Sequence, residues 1–135
     1  MRTVFADAFY YIAVLIPTDD LHASAMRIAR TLDDARILTT DPVLTEVLAY
    51  VSERGPVART KAVAMIDALR DDPSVTIVRQ TADLFDAGLN LYRRRIDKGH
   101  SHTDCMSMIV CQQFDVIDVL THDRHFAQEG FTLLF

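Results

Sequence analysis

Two rhythms of apolar residues alternate along the chain. Short runs dense in apolar and β-branched residues read as buried strands: "RTVFA" at 2–6, "ARILTT" at 35–40, "SVTIV" at 74–78, "DVLT" at 118–121 and "FTLL" at 131–134. Between them, longer segments repeat apolar residues at the three- and four-residue spacing of a helix. "DAFYYIAVLI" reads as a helix stopped by Pro17, buried against the sheet with its aromatic residues Phe9, Tyr10 and Tyr11. "DDLHASAMRIARTLDD" carries Leu21, Ala25, Ile28 and Leu32 on one stripe. "DPVLTEVLAYVSER" opens with Asp41 as N-cap and Pro42 at the first helical position and ends before Gly55, with Leu44, Val47, Leu48 and Val51 in its stripe. "PVARTKAVAMIDALRDD" places Ala62, Met65, Ile66 and Leu69 together, and "TADLFDAGLNLYRRRIDKG" (81–99) predicts Phe85, Leu89, Tyr92 and Ile96 facing inward. "HTDCMSMIVC" (102–111) is the next helix and "DRHFAQ" a short turn or helix.

Strands alternating with helices predict an α/β fold: a three-layer sandwich with a central parallel sheet of four to five strands and helices on both faces. No repeat, linker or low-complexity segment interrupts residues 1–135, so the expectation is one domain. No apolar run reaches the roughly 18–20 residues that cross a bilayer. Asp7 breaks the apolar character of the N-terminus and no convincing cleavage site follows, so the expected location is the cytoplasm. Cys105 and Cys111 fall in one predicted helix with their Cα atoms roughly 9 Å apart, too far for a disulfide. They lack a zinc-site spacing and read as small core residues.

Charge narrows the function. Fourteen Lys and Arg against 19 Asp and Glu leave a net charge of −5. A non-specific nucleic-acid binder is usually basic, because phosphate neutralisation drives its affinity. Any nucleic-acid role here is therefore local, metal-assisted or shared with a partner.

Four acidic residues fall where the chain leaves a strand or begins a helix: Asp7 after "VFA", Glu46 in the helix after "ILTT", Asp104 at the head of an apolar helix and Asp123 after "VLTH". Each has an ordinary explanation. Asp7 and Asp123 fit N-caps, Glu46 fits a solvated face, and "SHTD" fits a capping box with Asp104 in the last place. Together they point elsewhere. Ligands of an open parallel sheet bind beyond the carboxyl ends of the strands at the topological switch point, and the predicted elements bring all four acids to that edge. Carboxylates gathered there repel one another without a cation, and oxygen ligands suit Mg²⁺ or Mn²⁺. Such a site serves hydrolysis of a phosphate ester.

The stretches "VFADAFYYIA", "TTDPVLTEVL", "SHTDCMSMIV" and "VLTHDRHF" resemble the four acidic motifs of PIN domains, most closely those of the small ribonuclease toxins of VapBC-type toxin–antitoxin pairs. The resemblance runs from Thr3 to the terminal "GFTLL". It implies a metal-dependent endoribonuclease in which Asp7, Glu46, Asp104 and Asp123 form the catalytic pocket. Asp7 and Asp104 are then the most direct ligands of Mg²⁺ or Mn²⁺, and Glu46 and Asp123 ligate directly or through water and position the attacking water. It implies metal-activated water, no covalent intermediate, and products with a 5′-phosphate and a 3′-hydroxyl. An antitoxin covering the pocket with a basic side chain, and a homodimer, are the implied partners. The chain departs from the pattern at His102, where relatives carry an apolar residue, and after Asp7, where "AFYY" replaces a small hydroxyl residue.

"YRRRIDKGHSH" (92–102) is the one concentrated basic stretch. Arg93, Arg94, Arg95 and Lys98 suit RNA phosphates, and equally suit the C-terminal end of a helix dipole. Thr103 and Thr121 suit a hydrogen bond to a carboxylate or to substrate. His100, His102, His122 and His125 read as polar residues on the rim of the cleft. Two rivals stand beside the ribonuclease: a small-molecule phosphatase, which an aspartyl nucleophile motif would support but for Phe9 two residues after Asp7, and a non-catalytic RNA- or protein-binding module of the same fold.

Overall fold

The computed structural model describes all 135 residues. The chain runs β1 (Thr3–Ala6), α1 (Ala8–Leu15), α2 (His22–Ala29), β2 (Arg36–Thr40), α3 (Asp41–Val51), α4 (Pro56–Asp71), β3 (Val75–Val78), α5 (Ala82–Arg94), α6 (His102–Gln113), β4 (Asp118–Leu120), α7 (Arg124–Gln128) and β5 (Thr132–Leu133). The strands form one sheet in the order β3-β2-β1-β4-β5, and every neighbouring pair is parallel. This is the predicted α/β architecture, at the upper end of the expected strand count. Phe5 sits at its centre, opposite Leu38 of β2 and Val119 of β4.

Successive strand residues point to opposite faces. Val4, Phe5 and Ala6 are all 0% exposed, so β1 is covered on both sides. Their burial joins that of Leu38, Val43, Val47, Met108, Val110, Val119, Leu120 and Phe126 in one core. Parallel strands end on a common edge. From β1 the chain builds outward through β2 and β3, then crosses back to β4 on the other side of β1. The switch point therefore lies between the ends of β1 and β4.

Two helices are shorter than their sequence patterns. The segment 19–34 is helical only over His22–Ala29. Asp19 closes a turn by accepting from the Leu21 N–H at 2.9 Å, and Asp33 and Asp34 would set negative charge against the negative end of the helix dipole. Likewise α5 stops at Arg94, and Arg95 leaves helical geometry at φ −115°, ψ 41°.

The inward face of α5 is a correction. Phe85, Leu89, Tyr92 and Ile96 are exposed, and Leu84, Gly88 and Leu91 are buried instead. Gly88 explains the choice, because a Cβ there would come within 2.5 Å of Met106 Cγ and 3.2 Å of the His102 ring. The bare Gly88 backbone lets α5 lie directly on α6, and that close approach selects its stripe over the larger one. Leu48 and Phe9 are also exposed rather than packed on the sheet. Cys105 and Cys111 are free and buried, as expected.

Gly88→Val should destabilise the protein by about 1–3 kcal/mol through overpacking of the α5–α6 contact. Denaturant unfolding checks this, and a loss no larger than that of an exposed α5 substitution would contradict the account.

Candidate functional site

Asp7 is the first residue beyond β1. Its N–H donates to the Leu120 carbonyl at 3.2 Å, which fastens the end of β1 to the end of β4 across the switch point. It stands at the N-cap position of α1, yet its side chain makes no capping bond. The carboxylate is buried, and Oδ2 accepts the Thr121 hydroxyl at 2.8 Å. Oδ1 is buried with no hydrogen-bond partner. The neighbouring Ala8 N–H eases the charge on the carboxylate but meets neither oxygen in good hydrogen-bond geometry, and since a buried acceptor left unpaired costs about 1–3 kcal/mol, Oδ1 is open to a further partner.

Thr121 serves two acids at once. While donating to Asp7 it also accepts from the Asp123 N–H at 3.0 Å. Asp123 in turn caps α7, with Oδ1 accepting from the His125 N–H at 2.9 Å. Asp104 completes the capping box the sequence suggested: its N–H donates to Ser101 Oγ at 3.0 Å, and its Oδ2 accepts from the Ser101 N–H at 3.1 Å. The cap occupies Oδ2, so capping and a site role are compatible in Asp104. Glu46 rides on α3, which is fixed at its start by Thr40 Oγ1 accepting from the Val43 N–H at 3.1 Å. With Asp19, Glu46 gives the acidic part of a cleft of about 280 Å³ whose other walls are Ala8, Phe9, Ile12, Leu21 and Tyr50. Thus Glu46 is a cleft residue, and exposed Phe9 belongs to the same wall.

The four acids feel one another. Burial pushes the Asp7 carboxyl up to about 7, and the charges of Asp104 and Glu46 add to the shift. Burial raises Glu46 too, helped by Asp104 and Asp123, and it raises Asp104, helped by Asp123. No Lys or Arg pairs with any of the four. Ligand atoms of Asp104, Asp123 and His125 all lie within 4.8 Å of one another. An oxygen-rich set without an internal counter-charge, together with the unpartnered Asp7 Oδ1, fits a hard divalent cation.

The histidines part company. His100 is buried rather than on the rim, and bonds to Glu129 and His125. His102 packs its ring against Phe85 and bonds the Phe85 carbonyl at 2.9 Å, so it serves the α5–α6 contact. His122 bonds the Phe135 carbonyl at 2.9 Å. Only His125 reaches the acids, a role its sequence position did not single out. In the basic stretch, Arg95 is held by both Glu129 oxygens at 3.0 and 2.9 Å, Arg93 bonds Asn90 at 2.6 Å, and Lys98 lies 3.8 Å from Asp97. Arg94 is exposed and Thr103 half-buried.

No protein-family model matches the chain, and no curated protein matches it. Among solved structures it is similar to VapC20 of Mycobacterium tuberculosis, a toxin that cleaves the sarcin–ricin loop, with a TM-score of 0.85, 23% identity and 96% of each chain covered. The chain therefore has the fold of that toxin.

Asp7 binds a proton more tightly folded than unfolded, so its contribution to stability is complete below about pH 4 and disappears as pH rises through about 7. In chelator, thermal unfolding should show stability falling across that window by up to about 4 kcal/mol. Asp7→Asn should flatten the fall, whereas an equally steep profile in that variant would assign it to other groups.

Proposed function

We propose that residues 1–135 form a single PIN-like domain that acts in the cytoplasm as a metal-dependent endoribonuclease, the toxin of a toxin–antitoxin pair. What supports this reading is that Asp104 and Asp123 bring ligand atoms within 4.8 Å of each other, that the charges of Asp104 and Glu46 act on buried Asp7, that no Lys or Arg pairs with any of the four acids, and that one Asp7 oxygen is unpartnered. The likeness in fold to a sarcin–ricin-loop-cleaving toxin supports RNA as the substrate. No helix is long and apolar enough to cross a membrane.

Asp7, Asp104, Asp123 and Glu46 would hold Mg²⁺ or Mn²⁺. When bound, such an ion supplies positive charge against the developing charge of the phosphodiester and lowers the pKa of water. The chain's own residues set the geometry. Thr121 fixes Asp7 Oδ2 and the Asp123 backbone with one hydroxyl, which ties together two acids that follow different strands. The Ser101 cap holds Asp104 by Oδ2, and Glu46 faces the cleft, where it orients the attacking water. Thr103 lies one residue before Asp104 at the mouth of α6. Exposed Arg94 is free to meet RNA phosphates, as are Lys98 after leaving Asp97 and Arg93 after leaving Asn90; Arg95 is committed to Glu129 and contributes least.

A partner fits the surface as well. An antitoxin segment carrying a basic side chain would neutralise the carboxylates and cover the apolar cleft beside Glu46. The exposed stripe of Phe85, Leu89, Tyr92 and Ile96 on and just beyond α5 supports a homodimer.

With Mn²⁺ or Mg²⁺, the protein should cut RNA, the sarcin–ricin loop being the first substrate to try. Asp104→Asn should lose at least about 100-fold in rate with little loss of stability, since the Asn side-chain oxygen at this N3 position can still accept from the Ser101 N–H. Instability with activity retained would make Asp104 a cap alone. Turnover of a phosphomonoester without RNA cleavage would favour the phosphatase, and RNA binding without cleavage the non-catalytic module. Leu89→Arg should yield monomers in sedimentation if the α5 stripe joins two copies.

A further inference from the structure

A string of hydrogen bonds between side chains distant in sequence ends at the acidic site. Arg95 Nε donates to both oxygens of Glu129 at 3.0 and 2.9 Å. Glu129 Oε2 lies 3.1 Å from His100 Nε2, and His100 Nδ1 lies 3.1 Å from His125 Nδ1. His125 Nε2 then stands 3.8 Å from Asp123 Oδ1. The middle of the string is enclosed, with the His100 side chain 1% exposed and that of Glu129 9%.

The chemistry of the groups gives the string a direction. Arg95, bonded to Glu129, holds that carboxyl below the usual range, so it is a carboxylate and only accepts. His100 Nε2 therefore carries the hydrogen, and in its neutral form Nδ1 offers a lone pair. Against that lone pair His125 donates from Nδ1, and in this tautomer the lone pair of its Nε2 faces Asp123. Two acceptors then face each other at 3.8 Å beside Asp104, with no Lys or Arg to separate them. A cation between them removes the conflict. Packing holds the ring in this pose, because Gly99 lies against it so closely that a Cβ would come within 3.0 Å of His125 Cε1.

We propose that His125 Nε2 is a ligand of the divalent cation, with Asp104 and Asp123, and that Arg95, Glu129 and His100 are positioning residues that set its tautomer and aim. The proposal rests on the metal site of the preceding reading and adds a nitrogen to its oxygens. An imidazole ligand favours Mn²⁺ over Mg²⁺, which demands oxygen. Outer-shell partners of a ligating histidine fix its ring, and their loss typically costs 10–100-fold in metal affinity.

Pulsed EPR of the Mn²⁺-loaded protein, with calorimetric titrations of Mn²⁺ and Mg²⁺, tests this. Nitrogen modulation of the Mn²⁺ echo is expected in the wild-type protein and its loss in His125→Asn, with Mn²⁺ affinity falling about tenfold or more and Mg²⁺ affinity much less. His100→Leu should weaken Mn²⁺ binding by about 10–100-fold. Mn²⁺ bound without nitrogen modulation would overturn the proposal and leave a carboxylate-only site, with the ribonuclease reading intact. No Mn²⁺ binding at all would remove both. The wild-type spectrum decides the ligand even where a variant fails to fold.

Discussion

Everything at the functional edge depends on a carboxylate buried with half its hydrogen-bonding capacity unused. Asp7 stands at the end of the central strand, and its backbone is bonded to Leu120. It is 1% exposed, with Thr121 its single side-chain partner. Desolvation of an ionised group is costly unless charge or hydrogen bonds compensate it. Nearby acids make matters worse, not better, since Asp104 and Glu46 add to the rise in its pKa. The fold holds this group because β1 is locked between β2 and β4 and cannot withdraw. Such a site is costly to stability and well prepared for a cation.

The same side chains that would meet the ion also organise the local backbone. Asp104 closes the capping box of α6 with Oδ2, and Asp123 caps α7 with Oδ1. A cap fixes a carboxylate within the first turn of a helix, where its orientation follows from the backbone. Thr121 extends this rigidity across the switch point by joining Asp7 to the Asp123 backbone. Preorganisation of this kind comes from hydrogen bonds to the chain, and a site assembled on caps needs little further ordering when its ion arrives.

Helix packing supplies the rest. The bare backbone of Gly88 lets α5 lie directly on α6, against Met106 and His102. The bulkier stripe of α5 is thereby turned outward. His102 is absorbed by this contact, through Phe85, while the turn after α5 sends Arg95 to Glu129 and brings His100 under His125. One close helix contact thus turns the apolar stripe of α5 outward, and Gly99 packs against the His125 ring.

The strands, the helices and the parallel sheet were legible in the sequence, because apolar period and helix-end chemistry are local properties. Three candidate acids stood out for the same local reason, Asp7 and Asp123 just after strands and Asp104 at the head of a helix, whereas Glu46 sits mid-helix in α3 and only its place beside the cleft brings it near them. Tertiary structure decided the remainder. Two apolar stripes on α5 satisfy the same periodicity, and only the room against Met106 and His102 picks Leu84, Gly88 and Leu91. Whether Asp7 capped its helix rested on a side-chain rotation that Thr121, at the far end of the chain, controls. His100, His125 and Glu129 lie 25 and 29 residues apart in their bonded pairs, with no spacing to announce them. Patterning reports what each segment buries, but which polar atoms meet across the sheet edge depends on packing distances that no segment encodes alone.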